Sequence, residues 1–256
     1  MNFHIVIPAR FNSSRLPGKP LLDLHGRPMI WHVYQRALES GFKSITIATD
    51  DSRIFKAVSS FGGNVLMTKD YHESGTDRLA EVAELKSFCD SDIVINLQGD
   101  EPLVPAKCIT KLADTFQRKT EIDIATLSAE ITDNNDIFNS NVVKVVTDLK
   151  RKALYFSRAP IPWHRDNFEK NEKHLISRYK MERHIGMYAY RVDQLKTISK
   201  LAKSPLEEIE SLEQLRAIEN GLRIYVNKLE FQPPHGVDTI DDYEKLLVTM
   251  SDYNDI

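Results

Sequence analysis

The stretch FHIVI at Phe3–Ile7 decides the fold class, because a short run of β-branched and aromatic residues is typical of a buried strand. Apolar runs of the same kind recur at Ser44–Ala48, Val65–Met67 and Ile93–Leu97. Segments with helical periodicity separate these runs, at roughly 28–40, 51–61 and 77–88. Strands that are apolar on both faces and alternate with helices predict an α/β fold, with a mainly parallel sheet flanked by helices on both sides.

The second half of the chain has a different pattern. Three apolar runs with short connectors lie at Ile122–Glu130, Asn141–Thr147 and Lys152–Ser157. Short connectors favour antiparallel pairing of successive strands, which makes the predicted sheet mixed. The segment 162–180 is polar and charged, and we predict a surface excursion there. Since no Gly/Ser-rich linker divides the chain, we predict a single domain over residues 1–256, with an inserted β-rich lobe at roughly 150–220.

One helix is specified clearly within that lobe. Ser204 at the N-cap, Pro205 at the first helical position and Glu207 at the third form a capping box. Gly221 is a typical C-terminal stop. An apolar residue recurs at every third position, at Leu206, Ile209, Leu212 and Leu215. We interpret this stripe as core packing, with the seam of a homodimer as the alternative.

Composition and charge exclude several classes of protein. The 34 Lys+Arg and 37 Asp+Glu of this 256-residue chain give a net charge of −3, which argues against a broad nucleic-acid surface. The two cysteines, Cys89 and Cys108, lack metal-ligand spacing and favour a reducing compartment. No apolar stretch reaches the ~20 residues of a membrane span, and the first residues lack a signal-peptide pattern. We therefore predict a cytoplasmic protein without a nucleic-acid or membrane partner.

The loop after the first strand concentrates positive charge. Arg10, Arg15 and Lys19 lie within ten residues, together with the single glycine Gly18. Ligands of doubly wound folds bind at the carboxyl ends of strands. A Walker A or dinucleotide motif needs several glycines, so a polyphosphate here would be held mainly by side-chain cations. The alternative is a solvated basic loop.

Two acidic residues are candidate metal ligands. Asp100 follows the apolar strand Ile93–Leu97, where a carboxylate is well placed to hold Mg²⁺ over phosphate oxygens. The alternative for Asp100 is a capping role before the helix that starts near Pro105. Asp238 and Thr239 are each a candidate N-cap of the last helix. Asp238 becomes a metal candidate only if folding brings it near Asp100.

Three further polar residues interrupt apolar surroundings. Arg158 follows a predicted strand, His184 precedes another, and Glu213 lies inside the apolar helix described above. A single polar residue in such a place is more often structural than a ligand. The patterns therefore leave both interpretations open for each of them.

Ten motifs in the same order resemble the CMP-Kdo synthetase (3-deoxy-manno-octulosonate cytidylyltransferase) family. They lie at Ile7–Arg10, Ser14–Pro20, Ala48–Asp51, Ser74–Arg78, Leu97–Pro102, Asn141–Val146, Ala153–Trp163, Arg183–Gly186, Ser204–Arg216 and Gly236–Thr239. Each motif alone is weak, but the ordered set covers nearly the whole chain and is specific.

The resemblance implies a Rossmann-like nucleotidyltransferase fold, a homodimer and dependence on Mg²⁺. It also implies the reaction of CTP with 3-deoxy-D-manno-octulosonate (Kdo) to give CMP-Kdo and pyrophosphate, for lipopolysaccharide assembly. In this reaction the anomeric hydroxyl of Kdo attacks the α-phosphorus in line. The helix that bears Glu213 would belong to the dimer-forming part of the inserted lobe.

The resemblance also implies roles for individual residues. The nucleotide would contact Pro8, Ala9, Arg10, Arg15, Lys19, Ser74, Gly75 and Arg78. The sugar acid would contact Gln98, Arg158, His184 and Glu213, with Arg158 on its carboxylate. The metal would be held by Asp100 and Asp238, and the catalytic set would be Arg10, Lys19, Asp100 and Asp238.

Two alternatives to Kdo activation are kept open. One is a cytidylyltransferase for a related sugar acid, either sialic acid or the 8-amino analogue of Kdo. Within the resemblance, Glu101 and the intact motif Gly236–Asp238 favour Kdo itself. The other alternative is a catalytically silent nucleotide-binding module, against which the joint presence of the acidic pair, Lys19 and Arg158 argues.

Overall fold

A mixed β-sheet forms the centre of the protein in the computed structural model, which describes residues 1–12, 16–119, 122–168 and 180–254. Within these residues the sheet has nine strands, and a separate two-stranded hairpin consists of β2 and β3. The strands are β1 (Phe3–Pro8), β2 (Asp23–Leu24), β3 (Arg27–Pro28), β4 (Ile45–Thr49), β5 (Val65–Met67), β6 (Ile93–Asn96), β7 (Ile124–Glu130), β8 (Lys144–Thr147), β9 (Ala153–Ser157), β10 (Glu182–Arg191) and β11 (Ile224–Lys228).

Helices connect most of these strands. They are α1 (Met29–Glu39), α2 (Ser52–Ser60), α3 (Gly75–Leu85), α4 (Ala106–Arg118), α5 (Asn134–Phe138), α6 (Arg165–Phe168), α7 (Val192–Ile198), α8 (Pro205–Glu210), α9 (Gln214–Glu219) and α10 (Ile240–Asn254). A short 3₁₀ turn lies at Lys19–Leu21. None of the described helices is long and apolar enough to cross a membrane.

The first half of the chain forms the predicted parallel part of the sheet. β1 lies between β4 and β6 and is parallel to both, and β5 continues this part beyond β4. Every residue of β4 is buried, as expected for a strand covered on both faces. The predicted strands and helices of this half are confirmed, with boundaries that differ by a few residues.

Two apolar clusters cover the two faces of the sheet. Successive residues of a strand point to opposite faces, so Ile5 and Ile7 join one cluster and Val6 joins the other. Helices α1, α2 and α4 contribute to the first cluster, and α3, α7 and α9 contribute to the second. The result is the helix–sheet–helix layering that the alternating pattern predicts.

The second half of the chain forms the antiparallel part. β10 lies between β6 and β7 and is antiparallel to both, while β11 is parallel to β7. β8 and β9 pair in antiparallel fashion as predicted, and β8 also pairs with β10. The prediction that β7 pairs with β8 is wrong, because α5 separates them and β7 pairs instead with β10 and β11. His184 also lies inside β10, not before it.

The single helix predicted over 204–221 is two helices, α8 and α9. Ser211 takes a left-handed conformation with φ of +52°, which ends α8 and reverses the chain. This turn buries Leu212 and brings Arg216 of α9 against Glu207 of α8. The two side chains form a buried ion pair, with Arg216 Nη2 at 2.6 Å from Glu207 Oε1. Tertiary packing therefore outweighs the helical pattern of the sequence.

The ends of this helical pair follow the sequence closely. Pro205 is the first residue of α8, and the backbone N–H of Ser204 donates to Glu207 Oε2 at 3.2 Å. Gly221 ends the pair with φ of +80°. The predicted apolar stripe is incomplete because Ile209 is 80% exposed, although its three leucines pack in one core cluster.

The predicted surface excursion at 162–180 is described only at 162–168 and at 180. There, the side chain of Phe168 is buried in a small apolar cluster with Ile131, Ile137 and Met181. The end of α6 therefore packs against the body of the protein. The rest of the predicted excursion, 169–179, lies outside the described residues.

Candidate active site

A cavity of about 340 Å³ lies at the carboxyl ends of β1 and β6, beside the N-terminus of α3. The predicted site residues that line it are Pro8, Ala9, Arg10, Lys19, Ser74, Gly75, Arg78, Gln98, Asp100, Glu213 and Asp238. This is the position at which doubly wound folds bind their ligands. Predicted residues from the two ends of the chain therefore meet in one place.

Close backbone approach brings the segments after β1 and β6 together. A Cβ atom added to Gly99 would lie 2.8 Å from the carbonyl oxygen of Pro8, which is closer than a side chain tolerates. The backbone N–H of Ala9 donates to the carbonyl of Ala48 at 2.8 Å. Glycine at position 99 thus allows two neighbouring strand ends to pack side by side.

Lys19 is the centre of the site's polar contacts. Its ammonium nitrogen lies 2.6 Å from Asp100 Oδ2 and 3.3 Å from Asp238 Oδ1. It also donates a hydrogen bond of 2.7 Å to the carbonyl oxygen of Val237. Gly18, with φ of +71°, turns the chain just before Lys19. The condition set by the sequence for Asp238, proximity to Asp100, is therefore met.

The segment that carries Asp238 is fixed by hydrogen bonds from a backbone N–H and from a buried arginine. The N–H of Val237 donates to the carbonyl of Asp100 at 2.9 Å. Arg183, which is buried, donates to the carbonyl of Pro233 at 2.7 Å and to Gln232 Oε1 at 3.0 Å. These contacts hold the chain on both sides of the approach to Asp238.

The capping alternatives for the two acids are also decided. Thr239 caps α10, since its Oγ1 accepts from the N–H of Asp242 at 3.2 Å and its own N–H donates to Asp242 Oδ2 at 2.9 Å. Pro105, not Asp100, is the N-cap residue of α4. Both Asp100 and Asp238 therefore direct a carboxylate oxygen to Lys19.

The N-terminus of α3 forms another wall of the cavity. Ser74 and Asp77 make a capping box, in which Ser74 Oγ accepts from the N–H of Asp77 at 3.2 Å. The positive end of the α3 helix dipole therefore lies at the cavity and favours an anion there. Arg78 is buried and its Nη2 lies 2.6 Å from Asp50 Oδ2. This ion pair links the start of α3, which carries Arg78, to Asp50 directly after β4.

Glu213 reaches the cavity from the turn between α8 and α9. Desolvation raises the pKa of its carboxyl, and the nearby hydroxyls of Ser74 and Thr76 oppose the shift. Glu213 Oε1, Tyr188 Oη and Gln214 Nε2 are buried without a hydrogen-bond partner among the described residues. All three residues line a small void of about 50 Å³. Unsatisfied buried polar atoms are rare, so this void is a candidate extension of the site.

The sequence prediction did not include Tyr188 and Gln214. Tyr188 lies in an apolar strand and Gln214 follows Glu213 directly, so neither stands out by composition. One signal was available for Tyr188. A tyrosine in a strand that is expected to be buried needs a hydrogen-bond partner for its hydroxyl.

Arg158 and His184 do not belong to the cavity lining. The guanidinium of Arg158 donates to the carbonyls of Glu210 at 2.7 Å and Ser140 at 2.9 Å. It thus connects the end of β9 to the turn before Glu213. Sugar contact by Arg158 stays a prediction.

His184 packs within the sheet. Its Nε2 lies 2.9 Å from Thr126 Oγ1, and desolvation lowers the pKa of the imidazole to about 3. It is therefore neutral near pH 7. Sugar contact by His184 stays a prediction, and Arg15 lies outside the described residues.

A metal ion fits the acidic pair by the chemistry of its donors. Asp100 Oδ2, Asp238 Oδ1 and the carbonyl of Val237 already surround one cation, the ammonium of Lys19. Mg²⁺ typically takes one or two carboxylates and completes its shell with phosphate oxygens and water. Among the described residues, no group of three or more His, Cys, Asp or Glu side chains is arranged for a metal.

The sequence matches the cytidylyltransferase family over residues 4–224. It is 52% identical over 249 residues to 3-deoxy-manno-octulosonate cytidylyltransferase of Hahella chejuensis, covering 97% of this chain and 98% of that one. It is 49% identical to the enzyme of that name from Vibrio vulnificus, covering 95% and 96%. This chain belongs to the 3-deoxy-manno-octulosonate cytidylyltransferase family.

A solved structure of the family shares the fold. The structure of CMP:2-keto-3-deoxy-manno-octonic acid synthetase complexed with CTP matches with a TM-score of 0.90 and 42% identity, covering 99% of this chain and 100% of that one. The resemblance and the Rossmann-like nucleotidyltransferase fold predicted from the sequence are therefore confirmed.

Proposed function

We propose that this protein transfers the cytidylyl group of CTP to the anomeric hydroxyl of Kdo, with release of pyrophosphate. The observation that carries the proposal is the meeting of Lys19, Asp100 and Asp238 at the carboxyl ends of β1 and β6. Relatives of nearly equal length bear the name of this activity. The product, CMP-Kdo, would supply lipopolysaccharide assembly in the cytoplasm, where CTP is available.

The nucleotide would bind in the 340 Å³ cavity. Arg10 is exposed at its edge, so its guanidinium is available to phosphate oxygens, and the side chain of Lys19 lines the same cavity. Ser74 and Gly75 begin α3, whose N-terminus favours negative charge. The structure of a related enzyme with CTP supports nucleotide binding by this fold.

Mg²⁺ would be held by Asp100 and Asp238. When bound, it would neutralise phosphate charge and lower the pKa of the attacking hydroxyl. The chain's own contribution is to orient the two substrates for in-line attack of the sugar hydroxyl on the α-phosphorus, from which pyrophosphate leaves. Lys19 would stabilise the negative charge on the phosphates, since phosphoryl transfer depends mainly on positioning and charge neutralisation.

The sugar acid would lie between Gln98 and Glu213, which face the same cavity. The unpaired polar atoms of Glu213, Tyr188 and Gln214 suit a ligand rich in hydroxyl groups. Arg158 would support this part of the site through the turn that bears Glu213. We also expect a homodimer, which the family resemblance implies.

Pyrophosphate release from CTP, assayed with Mg²⁺ and each of three sugar acids, tests the proposal. We expect release with Kdo, and weak or no release with 8-amino-Kdo or sialic acid. Mass spectrometry of the product should show CMP-Kdo. Preferential release with another sugar acid would replace the substrate, and binding of CTP without turnover would favour a silent nucleotide-binding module.

A further inference from the structure

The ammonium of Lys19 occupies the donor set that a divalent ion needs. Its three N–H groups have three oxygen partners, which are Asp100 Oδ2, Asp238 Oδ1 and the carbonyl of Val237. A lysine ammonium has three donors, so these partners satisfy it completely. The side chain is only 11% exposed, compared with 30% for Asp100 and 51% for Asp238.

We propose that Lys19 is an internal counter-cation that competes with the divalent ion for Asp100 and Asp238. The triphosphate of the nucleotide would draw the ammonium away and thereby open the acidic pair to the metal. This inference rests on the proposed function, because it takes CTP and Mg²⁺ as the ligands of the site. It adds an order of assembly, in which nucleotide binding precedes stable metal binding.

Electrostatics makes the two cations mutually exclusive at these oxygens. Mg²⁺ binds oxygen at about 2.0–2.1 Å, while Lys19 Nζ lies 2.6 Å from Asp100 Oδ2. An ammonium and a metal ion on the same carboxylate oxygens would repel each other strongly in a partly buried site. Removal of the ammonium leaves two neighbouring carboxylates uncompensated, which favours a new cation.

The position of Lys19 in the chain allows its ammonium to move. Four methylene groups, joined by rotatable bonds, separate the ammonium from the backbone. The ammonium can therefore shift while the 3₁₀ turn at Lys19–Leu21 stays in place. Arg10 lines the same cavity, so phosphates held there come close to Lys19. The backbone N–H of Val237 donates to the carbonyl of Asp100, and this hydrogen bond fixes the position of Val237. The carbonyl of Val237 therefore remains available to the incoming ion.

Competition of this kind makes the binding of nucleotide and of metal interdependent. Binding of either the nucleotide or the metal ion separates Lys19 from Asp100 and Asp238, which lowers the free-energy cost of binding the other ligand. Such coupling is reciprocal. In the absence of nucleotide, the wild-type protein should therefore bind a divalent ion weakly. Loss of the lysine side chain should remove the competitor.

The test measures Mn²⁺ binding to the full chain without nucleotide, by the electron paramagnetic resonance signal of free Mn²⁺. We compare the wild type with Lys19→Met and with the matched control Lys56→Met, which removes one exposed charge from α2. Lys19→Met should bind Mn²⁺ roughly tenfold more tightly or better, because charge-assisted hydrogen bonds no longer oppose the ion. Without nucleotide, Lys56→Met should bind Mn²⁺ as weakly as the wild type, and the charge-retaining Lys19→Arg should lack the gain in Mn²⁺ affinity shown by Lys19→Met.

Equal or weaker Mn²⁺ binding by folded Lys19→Met would overturn the proposal. Addition of Asp238→Asn to Lys19→Met should abolish the gain, and a gain that persists would place the ion elsewhere and would also overturn it. Circular dichroism checks that each variant is folded, and Lys19→Gln serves as the second variant. Failure of CTP turnover in the wild type, together with tight Mn²⁺ binding by Lys19→Met, would refute the proposed function but leave the competition intact.

Discussion

The parallel and antiparallel halves of the sheet contribute to the candidate site in different ways. In the parallel half, the segments after β1 and β6 lead directly into the cavity, because parallel strands end at a common edge. In the antiparallel half, Arg158 follows β9 and His184 lies within β10, and both bond to neighbouring backbone or hydroxyl groups outside the cavity lining. For these two pairs of segments, strand direction separates side chains that face the cavity from side chains that bond to the surrounding structure.

Replacement in the parallel half should produce the largest effect on catalysis. Asp100→Asn removes a negative charge from the proposed metal ligand, and we expect turnover to fall roughly 10²–10³-fold while the fold persists. Steady-state assays of pyrophosphate release at saturating Mg²⁺ measure the change. Asp241→Asn, at an exposed residue of α10, is the matched control and should keep its activity. A near-normal kcat for Asp100→Asn would show that the parallel half of the sheet does not supply the catalytic metal ligand.

Replacement in the antiparallel half should instead affect stability first. Arg216→Met leaves the carboxylate of Glu207 buried without its partner, and we expect the free energy of unfolding to fall by about 3–5 kcal/mol. The double change Glu207→Leu with Arg216→Met should recover much of this loss. Urea denaturation measures both. Arg223→Met breaks the more exposed pair with Asp123 and should cost about 1 kcal/mol or less.

A change at Arg158 would refine the division between the halves. Arg158→Met removes the hydrogen bonds to the turn before Glu213, so we expect the KM for Kdo to rise about tenfold, the effect of one lost charged hydrogen bond. The KM for CTP should stay within about twofold of the wild-type value, because the residues proposed to bind the nucleotide lie after β1 and at the start of α3. Initial-rate kinetics with each substrate varied in turn separate the two values. An equal rise in both would contradict the assignment to the sugar side.

Two further expected effects are opposite dependences of stability on pH. Desolvation, with repulsion from Asp100 and Asp238, raises the pKa of Glu101 from 4.5 to about 8, an effect that Arg183 partly opposes. Protonated Glu101 therefore stabilises the fold fully below pH 4.5, and this stabilisation is lost as the pH rises towards 8. Glu101→Gln lacks this loss and should gain stability relative to the wild type between these values.

His184 in the antiparallel half has the opposite sign. Desolvation lowers the pKa of its imidazole from 6.5 to about 3, so its contribution is complete above pH 6.5 and is lost as the pH falls towards 3. His184→Gln should therefore gain stability relative to the wild type on acidification. Urea unfolding of each variant with a chelator present, over pH 4.5–8, gives the two slopes. Slopes of the same sign would show that these groups do not govern the difference.

The sequence predicts the parallel half well because its signals are local. The apolar run Phe3–Ile7, its successors and the intervening periodic segments each indicate one element without reference to distant residues. Strand ends then indicate where Lys19 and Asp100 lie. The same local pattern fails at Ser211, where burial of Leu212 and an ion pair across the turn break the predicted helix.

Contacts between distant parts of the chain were beyond local patterns. The placement of β10 between β6 and β7 depends on pairing over many residues, which no short motif specifies. The spacing of Asp100 and Asp238 likewise gives no sign of their meeting, and only the family resemblance implied it. The side-chain contacts of Arg158 follow from the α8–α9 turn, so they depend on the same break that the helical pattern missed.

The position of β10 has a consequence for synthesis on the ribosome. β6 ends at residue 96 and pairs with Tyr188–Arg191 of β10, so 95 residues (191 − 96) must be added before the strand that covers one side of β6 is complete. At about 5–20 residues per second, this takes roughly 5–19 s, during which the backbone groups along that side of β6 stay open to other strands. The growing chain therefore passes through a stage in which a half-built sheet is exposed to aggregation and to chaperones.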